Sequence, residues 1–299
     1  MTMTLNLQQH HDYYVGRFEA MACTCEILMD TRDSALAQQL CRTAQQETLR
    51  IEQKYSRYRD DNIIHAINNA NGAPVDVDNE TADLLDYAQQ CYQLSGGLFD
   101  ITSGVLRQAW RFDGSDNLPS PQQIDTLMAR IGWDKVRWQR PTITLQPGME
   151  IDLGGIGKEY AVDRVANLMK SKTKVSCLVN FGGDISVTGP RHNGEAWVIG
   201  VENPDSDQPW TGNIRGLQLA QGAIATSGDA KRFLLKDGIR YSHILNPQTG
   251  WPVTDAPRSV TVAANTCTEA GILATLALLQ GADAENFLQR EKIRYWCEW

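Results

Sequence analysis

Residues 151–163 read Ile-Asp-Leu-Gly-Gly-Ile-Gly-Lys-Glu-Tyr-Ala-Val-Asp. An apolar, strand-like start runs into a glycine turn and then into a helix expected over 158–170. A helix N-terminus with free amides, next to Lys158, suits an anion such as a pyrophosphate. The segment is neither GxGxxG nor a P-loop, so neither standard nucleotide motif is present. A tight strand-to-helix joint that only glycine fits is the competing reading of the same residues.

Outward from this turn the chain alternates short strands with a few long helices. Upstream, 14–29 mixes apolar and small residues as a strand or hairpin arm. Over 33–55, Leu36, Leu40, Ala44, Leu49 and Ile51 fall at helical spacing, with Asp33 or Ser34 as cap. A second helix over roughly 80–95 carries Leu84, Leu85, Ala88 and Tyr92 and stops at Ser95-Gly96-Gly97. Short strands are expected at 136–138, 142–146 and 148–153, between turn residues. More follow at 176–181, 184–188, 197–201, 217–219, 223–227, 232–235, 241–245 and 260–263, before a last helix over 268–279. That pattern predicts an α+β fold with mixed or antiparallel sheets. The expected organisation is a flexible 1–15 followed by one domain over 16–299, or two closely packed subdomains.

Of 299 residues 42% are hydrophobic and 21% charged, an ordinary globular composition. The net charge of −8 argues against a nucleic-acid partner, which favours a basic face. Seven cysteines, an odd number without a CxxC pair, read as reduced thiols of a cytoplasm. Cys23-Thr-Cys25 could pair on a metal, but on a strand it places two small side chains on one face. The polar start MTMTLNLQQHHDYY lacks the basic and apolar run of a secretory signal. No stretch approaches the ~20 apolar residues that span a bilayer. A cytoplasmic protein with no membrane partner is expected.

Three further segments join glycine to a short polar residue. Asn180-Phe181-Gly182-Gly183-Asp184 reads as a bulge or hairpin, or as a backbone approached closely by a flat or charged ligand. Thr226-Ser227-Gly228-Asp229 reads as a plain turn, or as hydroxyls and amides around a phosphate. His243 precedes the turn Asn246-Pro247-Gln248-Thr249-Gly250 and alternates with Tyr241 on the expected strand. It is a structural histidine or a proton-transfer group.

In their order these segments resemble the FAD:protein FMN transferase family, often called the ApbE family. Its Met-Gly-Thr strand appears as Met21-Ala22-Cys23, and its Ser-x-Tyr and Asn segments as Ser56-Arg57-Tyr58, Asn62-Ile63-Ile64 and Asn68. Gly-x-Phe-Asp-x-Thr with a later tryptophan matches Gly97 to Thr102 and Trp110-Arg111-Phe112. The glycine-turn helix matches Leu153 through Asp163, and the segments at 180, 226 and 243 follow, then Ala270 to Thr275. The resemblance covers about 20 to 275.

The resemblance implies an ApbE-like (T-fold-like) α+β fold holding an extended FAD, with its pyrophosphate beside the helix that begins near Lys158. It implies an FAD pocket lined by Met21, Tyr58, Asp100, Lys158, Asp163, Gly182, Gly183, Asp184, Thr226, Ser227, Gly228, His243 and Pro247. It further implies a Mg²⁺ bridging the pyrophosphate, ligated by the Gly157 carbonyl and Thr275. A Thr or Ser hydroxyl of an acceptor protein attacks the FMN phosphorus and AMP leaves. His243 is the expected general base, with Asp163 as rival.

The sequence departs from the family near the metal. Where Ala-Asp-Ala-Leu-x-Thr is usual, it reads Ala270-Gly271-Ile272-Leu273-Ala274-Thr275, so the ligating acid is glycine. Glu269 is rotated by about 200° from position 271 and aims elsewhere. Glu159 replaces the glycine after Lys158 and adds a carboxylate that must point outward or meet a cation. Asn246 replaces an aspartate and keeps the turn. A weakened Mg²⁺ site is expected, and Gly271→Asp is expected to raise metal-dependent turnover. A non-catalytic FAD-binding protein and a slow FAD pyrophosphatase remain as alternatives.

Overall fold

The structure, a computed structural model, describes residues 5–113, 115–200, 216–229 and 233–299. β1 (Asn6–Gln9), within the segment expected to be flexible, pairs antiparallel with β2 (Tyr14–Ala20), and β2 pairs with β3 (Cys23–Met29). α1 (Ser34–Tyr55), α2 (Ile63–Asn68), β4 (Val75–Asp76) and α3 (Asn79–Leu94) follow. A 3₁₀ segment, Ile101–Gln108, leads to α4 (Pro121–Met128), then β5 (Arg137–Gln139) and β6 (Thr142–Thr144), with β4, β6 and β5 forming a small sheet. α5 (Gly157–Lys172) precedes β7 (Cys177–Phe181), β8 (Asp184–Val187), β9 (Trp197–Gly200), β10 (Gly216–Leu219) and β11 (Gly222–Gly228). The hairpin β12 (Phe233–Lys236) and β13 (Ile239–Ser242) comes next. β14 (Ser259–Ala264), α6 (Cys267–Leu279), α7 (Ala284–Arg290) and β15 (Arg294–Glu298) complete the chain.

Eight strands form the main sheet in the order β1-β2-β3-β7-β8-β11-β14-β15. Every neighbouring pair in it is antiparallel. Alternation assigns its two faces. Cys25, Ile27 and Met29 of β3 lie opposite Phe181, Val179 and Cys177 of β7, and all six are fully buried beneath the helices. Leu178, Ile185 and Ile224 point to the other face, where Trp197, Ile199 and Leu217 of the β9–β10 hairpin cover them.

α1 buries Ala37, Leu40, Cys41, Ala44, Thr48, Ile51 and Tyr55, a three-to-four-residue stripe, and Asp33 caps it by accepting from the amides of Ala35 and Leu36. α6 lacks such a stripe. Nine of its thirteen residues are buried, because it lies between β11, β14, α5 and α7. A second core joins Val105, Leu106, Trp110, Ile124, Leu127 and Ile131 to Leu234, with Tyr241 and Trp251 packed on it.

The structure corrects two expected strands. Residues 148–153 form none: the Asn68 side chain binds both the amide and the carbonyl of Ile151, and the Asp152 amide donates to the Ile101 carbonyl. A side chain thus takes the place of a neighbouring strand. The strand expected over 241–245 ends at Ser242, whose hydroxyl accepts the Ile244 amide, so His243 stands just beyond it. The expected strand ends Val201 and Arg232 lie outside the described residues. Sequence reasoning missed α4, although its Ser120–Gln123 capping box and Pro121 announce it.

Candidate active site at the end of the main sheet

Two hairpin turns, at 21–22 and 182–183, meet at one end of the sheet because β3 pairs with β7. The Gly182 amide donates to the Thr24 carbonyl at 3.2 Å. Both turns hold two residues at positive φ: +52° and +57° at Met21 and Ala22, +61° and +99° at Gly182 and Gly183. Gly182 is doubly required, since a Cβ there would stand 2.9 Å from the Cys23 Cβ, whereas Gly183 faces open space. Met21 and Ala22 hold a conformation that suits glycine or asparagine. The Met21 amide donates to Glu52 Oε1 at 2.7 Å, which ties this strained turn to α1.

α5 begins beside these turns. Ile156, at its N-cap position, offers no side-chain cap, and a Cβ at Gly157 would meet nothing within 4 Å. The first amide, that of Gly157, donates to the Leu153 carbonyl at 2.7 Å, and the positive end of the helix dipole meets the open space at Gly157, an arrangement that favours an anion. Lys158 Nζ lies 2.8 Å from Asp184 Oδ2. Burial pulls the lysine pKa down, but the Asp184 and Glu159 carboxylates outweigh it and the net shift is upward. Burial raises the Asp184 pKa, with Lys158 opposing. The Thr226 amide approaches Asp184 Oδ1 at 3.4 Å.

Hydroxyls extend the set across the sheet onto α6. Thr226 Oγ1 lies 2.8 Å from Thr261 Oγ1, and Ser227 Oγ lies 2.8 Å from Thr275 Oγ1. Gly228 ends β11 against β14, where a Cβ would meet the Arg258 carbonyl at 2.6 Å. Lys158, Asp184, Thr226, Ser227 and Thr275 are therefore one connected group. Ser242 and Ile244, flanking His243, line a cavity with Asp229, Arg258 and Leu278, so the His243 segment runs past the ends of β11 and α6. The His243 ring stands edge-on to Phe112 at 6.3 Å, and Pro247 is buried in the turn that follows.

Glu159 points inward. Its Oε2 is buried with no hydrogen-bond partner. A Cβ at Gly271 would come within 2.7 Å of Glu159 Cγ and 3.0 Å of Oε1, so the side chain occupies the space glycine vacates on α6. Burial, then Asp184, push this carboxyl up to about 8 against the pull of Lys158. Glu269 is exposed, away from that contact.

Three expected pocket residues are placed apart from the connected group. Asp163 accepts from the amides of Cys267 and Thr268 and from the Thr268 hydroxyl, so both its oxygens hold the N-terminus of α6. Asp100, buried, accepts from the Thr102 amide and hydroxyl and from the Trp133 amide. Burial raises its pKa, and those hydrogen bonds oppose the rise. Tyr58 is 80% exposed, and its hydroxyl accepts from Arg57, which pairs with Asp152 of the glycine turn. Sequence reasoning missed Arg57 and Asp152, although both lie inside the quoted segments.

Among the described residues no three His, Cys, Asp or Glu side chains are placed to hold a metal by themselves. No described helix is long and apolar enough to cross a membrane.

Comparison with known proteins identifies the family and the fold. The ApbE family model matches residues 21–296. The FAD:protein FMN transferase of Vibrio cholerae is 31% identical over 238 residues, covering 78% of this chain and 71% of that protein. The Salmonella typhimurium protein of the same name is 32% identical over 248 residues, covering 79% and 70%. The crystal structure of the Thermotoga maritima ApbE protein superposes with a TM-score of 0.85 at 30% identity, covering 95% of this chain and 94% of that one. With its α+β fold, its glycine turn and its polar end of the sheet, the chain belongs to the ApbE family.

Proposed function

We propose that this protein transfers the FMN half of FAD to a Thr or Ser hydroxyl of an acceptor protein and releases AMP. The observation that carries the reading is the uncapped start of α5, facing open space at Gly157 beside Lys158 and Asp184. In a chain of this family such a start suits the FAD pyrophosphate: the helix dipole and the lysine both favour its negative charge. The turns at 21–22 and 182–183, with Thr226 and Ser227, line the extended ligand. Tyr58 stands at the rim, and Asp100 and Gly228 act as supports for the pocket wall.

In the transfer, the acceptor hydroxyl oxygen bonds to the FMN phosphorus and the bridging P–O bond to the AMP phosphate breaks. The hydroxyl proton passes to His243, and AMP departs with the bridging oxygen. Asp163 is a positioning residue, since both its oxygens hold α6. Fixed donors along α5 stabilise charge that grows on the phosphate oxygens.

The donors present fit a hard cation: the Thr275 hydroxyl, the Gly157 carbonyl and, nearby, a buried carboxylate oxygen of Glu159 without a partner. Mg²⁺ binds through one or two carboxylates plus substrate phosphates and waters, and when bound it neutralises the pyrophosphate and polarises the scissile bond. One domain over 16–299 is part of the same proposal, supported by a continuous core from Tyr14 to Leu288. So is a cytoplasmic setting, supported by seven cysteines that all stand as thiols.

The test is incubation with FAD, Mg²⁺ and a flavinylatable acceptor, following AMP and acceptor-bound flavin. Covalent flavin on the acceptor with equal AMP is expected. Free FMN with AMP would instead reveal a pyrophosphatase, and intact bound FAD a carrier.

A further inference from the structure

We infer that the Glu159 carboxylate, reaching across from α5, supplies the cation-binding acid for which Gly271 leaves room on α6. The inference rests on the transferase reading and adds a residue to it. Its first support is complementary volume. A Cβ on residue 271 would lie 2.7 Å from Glu159 Cγ, closer than real Cβ contacts come, and 3.1 Å from Cδ. The two positions hold one side chain between them, and here it springs from α5.

The second support is unsatisfied chemistry. Glu159 Oε2 is shielded from solvent yet has no hydrogen-bond partner. A buried polar atom without a partner is costly, and native structures seldom leave one without a reason. Asp184, 2% exposed, has no directed hydrogen bond at Oδ2 beyond its ion pair with Lys158. Two carboxylates thus share one lysine at this end of α5, and a divalent cation answers that imbalance.

The third support is the position of the hydroxyl donor. Thr275 lies four residues beyond Gly271, on the same face of α6 and one turn away. Its hydroxyl meets Ser227. A carboxylate packed on Gly271 and a hydroxyl at Thr275 therefore line one strip of the helix, with the open N-terminus of α5 alongside. Gly271→Asp alone, instead of improving the site, would drive its side chain into Glu159.

The experiment titrates Mn²⁺, a spectroscopic substitute for Mg²⁺, into the FAD-loaded protein and reads free Mn²⁺ by electron paramagnetic resonance. Loss of even an outer-shell partner weakens metal binding about 10–100-fold, so E159Q is expected to weaken Mn²⁺ at least ~10-fold. Thermal unfolding of the same samples confirms that each variant is folded. The swap E159G with G271D, which moves the acid from α5 to α6, is expected to recover Mn²⁺ binding to within about threefold of the starting protein, under 1 kcal/mol. Unchanged Mn²⁺ affinity in E159Q, or a folded swap variant that binds no better than E159Q, overturns the inference. Neither result touches the transferase reading, which falls only if FAD and acceptor yield no covalent flavin in the unmodified protein.

Discussion

Lys158 Nζ lies 2.8 Å from Asp184 Oδ2, and only 3% of the aspartate side chain is exposed. Removing one member of such a pair leaves the other uncompensated, at a cost of about 3–5 kcal/mol when burial is complete. The lysine side chain is 32% exposed, so D184N, which strands a wetter charge, costs less than K158M. K158M is expected to lower urea stability by ~3 kcal/mol, and the double variant K158M/D184N to recover more than half of that loss. Equal losses in both single variants would show that the pair is not coupled through burial.

The turn at Met21 and Ala22 is expected to gain stability from glycine. A non-glycine residue at left-handed φ costs about 1–2 kcal/mol, and Ala22 sits at +57°. Glycine loses more backbone entropy on folding, about 0.4–1 kcal/mol. A22G is therefore expected to stabilise by ~0.5–1 kcal/mol, seen as a higher urea midpoint at unchanged slope. No gain would mean that contacts of the alanine methyl outweigh the strain.

The paired turn predicts a contrast between adjacent glycines. At Gly183 an alanine meets only the φ penalty, because nothing lies within 4 Å, whereas at Gly182 it also meets Cys23 at 2.9 Å. G183A is expected to cost about 1 kcal/mol and G182A distinctly more. The added C23A change should ease G182A and leave G183A unaffected.

What sequence alone could read divides along local and long-range lines. α1 is legible from its spacing and its Asp33 cap, α3 from its spacing and its glycine stop, and α5 from the glycine turn before it. Residues 14–29 read as a strand or hairpin arm from their apolar and small residues, and the structure makes them the hairpin of β2 and β3. The strand expected over 148–153 failed because Asn68, far back in the chain, takes its hydrogen bonds. The site divides the same way. The glycine turns announced themselves, but the direction of Glu159 depends on an absent side chain on another helix. Asp163 and Asp100 are spoken for by amides at Cys267 and Trp133 that no local pattern reveals.

Acid is expected to weaken the junction of α1, α3 and α5. Glu80 accepts from Arg50, Lys54 and the Tyr160 hydroxyl. Arg50 first, then Lys54 and Tyr160, hold its pKa well below the ordinary 4.5 despite burial. A carboxylate lowered on folding contributes stability above its unfolded pKa, and this is lost as pH falls toward the folded one. Unfolding followed from pH 6 down through the carboxylate range, about 4, should show a steeper decline for the unmodified protein than for E80Q. With side-chain exposure of 22% the effect is a screened one. Parallel curves would place the acid sensitivity elsewhere.

His243 and Asp163 are expected to fail in different ways. His243 follows β13, with Ser242 and Ile244 beside it lining the cavity at the ends of β11 and α6. An imidazole there is suited to taking the acceptor proton, a role worth about 10²–10⁴ in rate. H243Q should therefore lower kcat by ~10²-fold or more, with FAD affinity and the unfolding midpoint little changed. Asp163 instead satisfies two amides and a hydroxyl at the start of α6. Losing a helix cap costs about 0.5–2 kcal/mol, so D163A should lower the midpoint and loosen Thr275 while retaining much of kcat when folded. If D163A is stable and inactive while H243Q turns over, the proton goes to the aspartate, and the bonds it makes to α6 must open during the reaction.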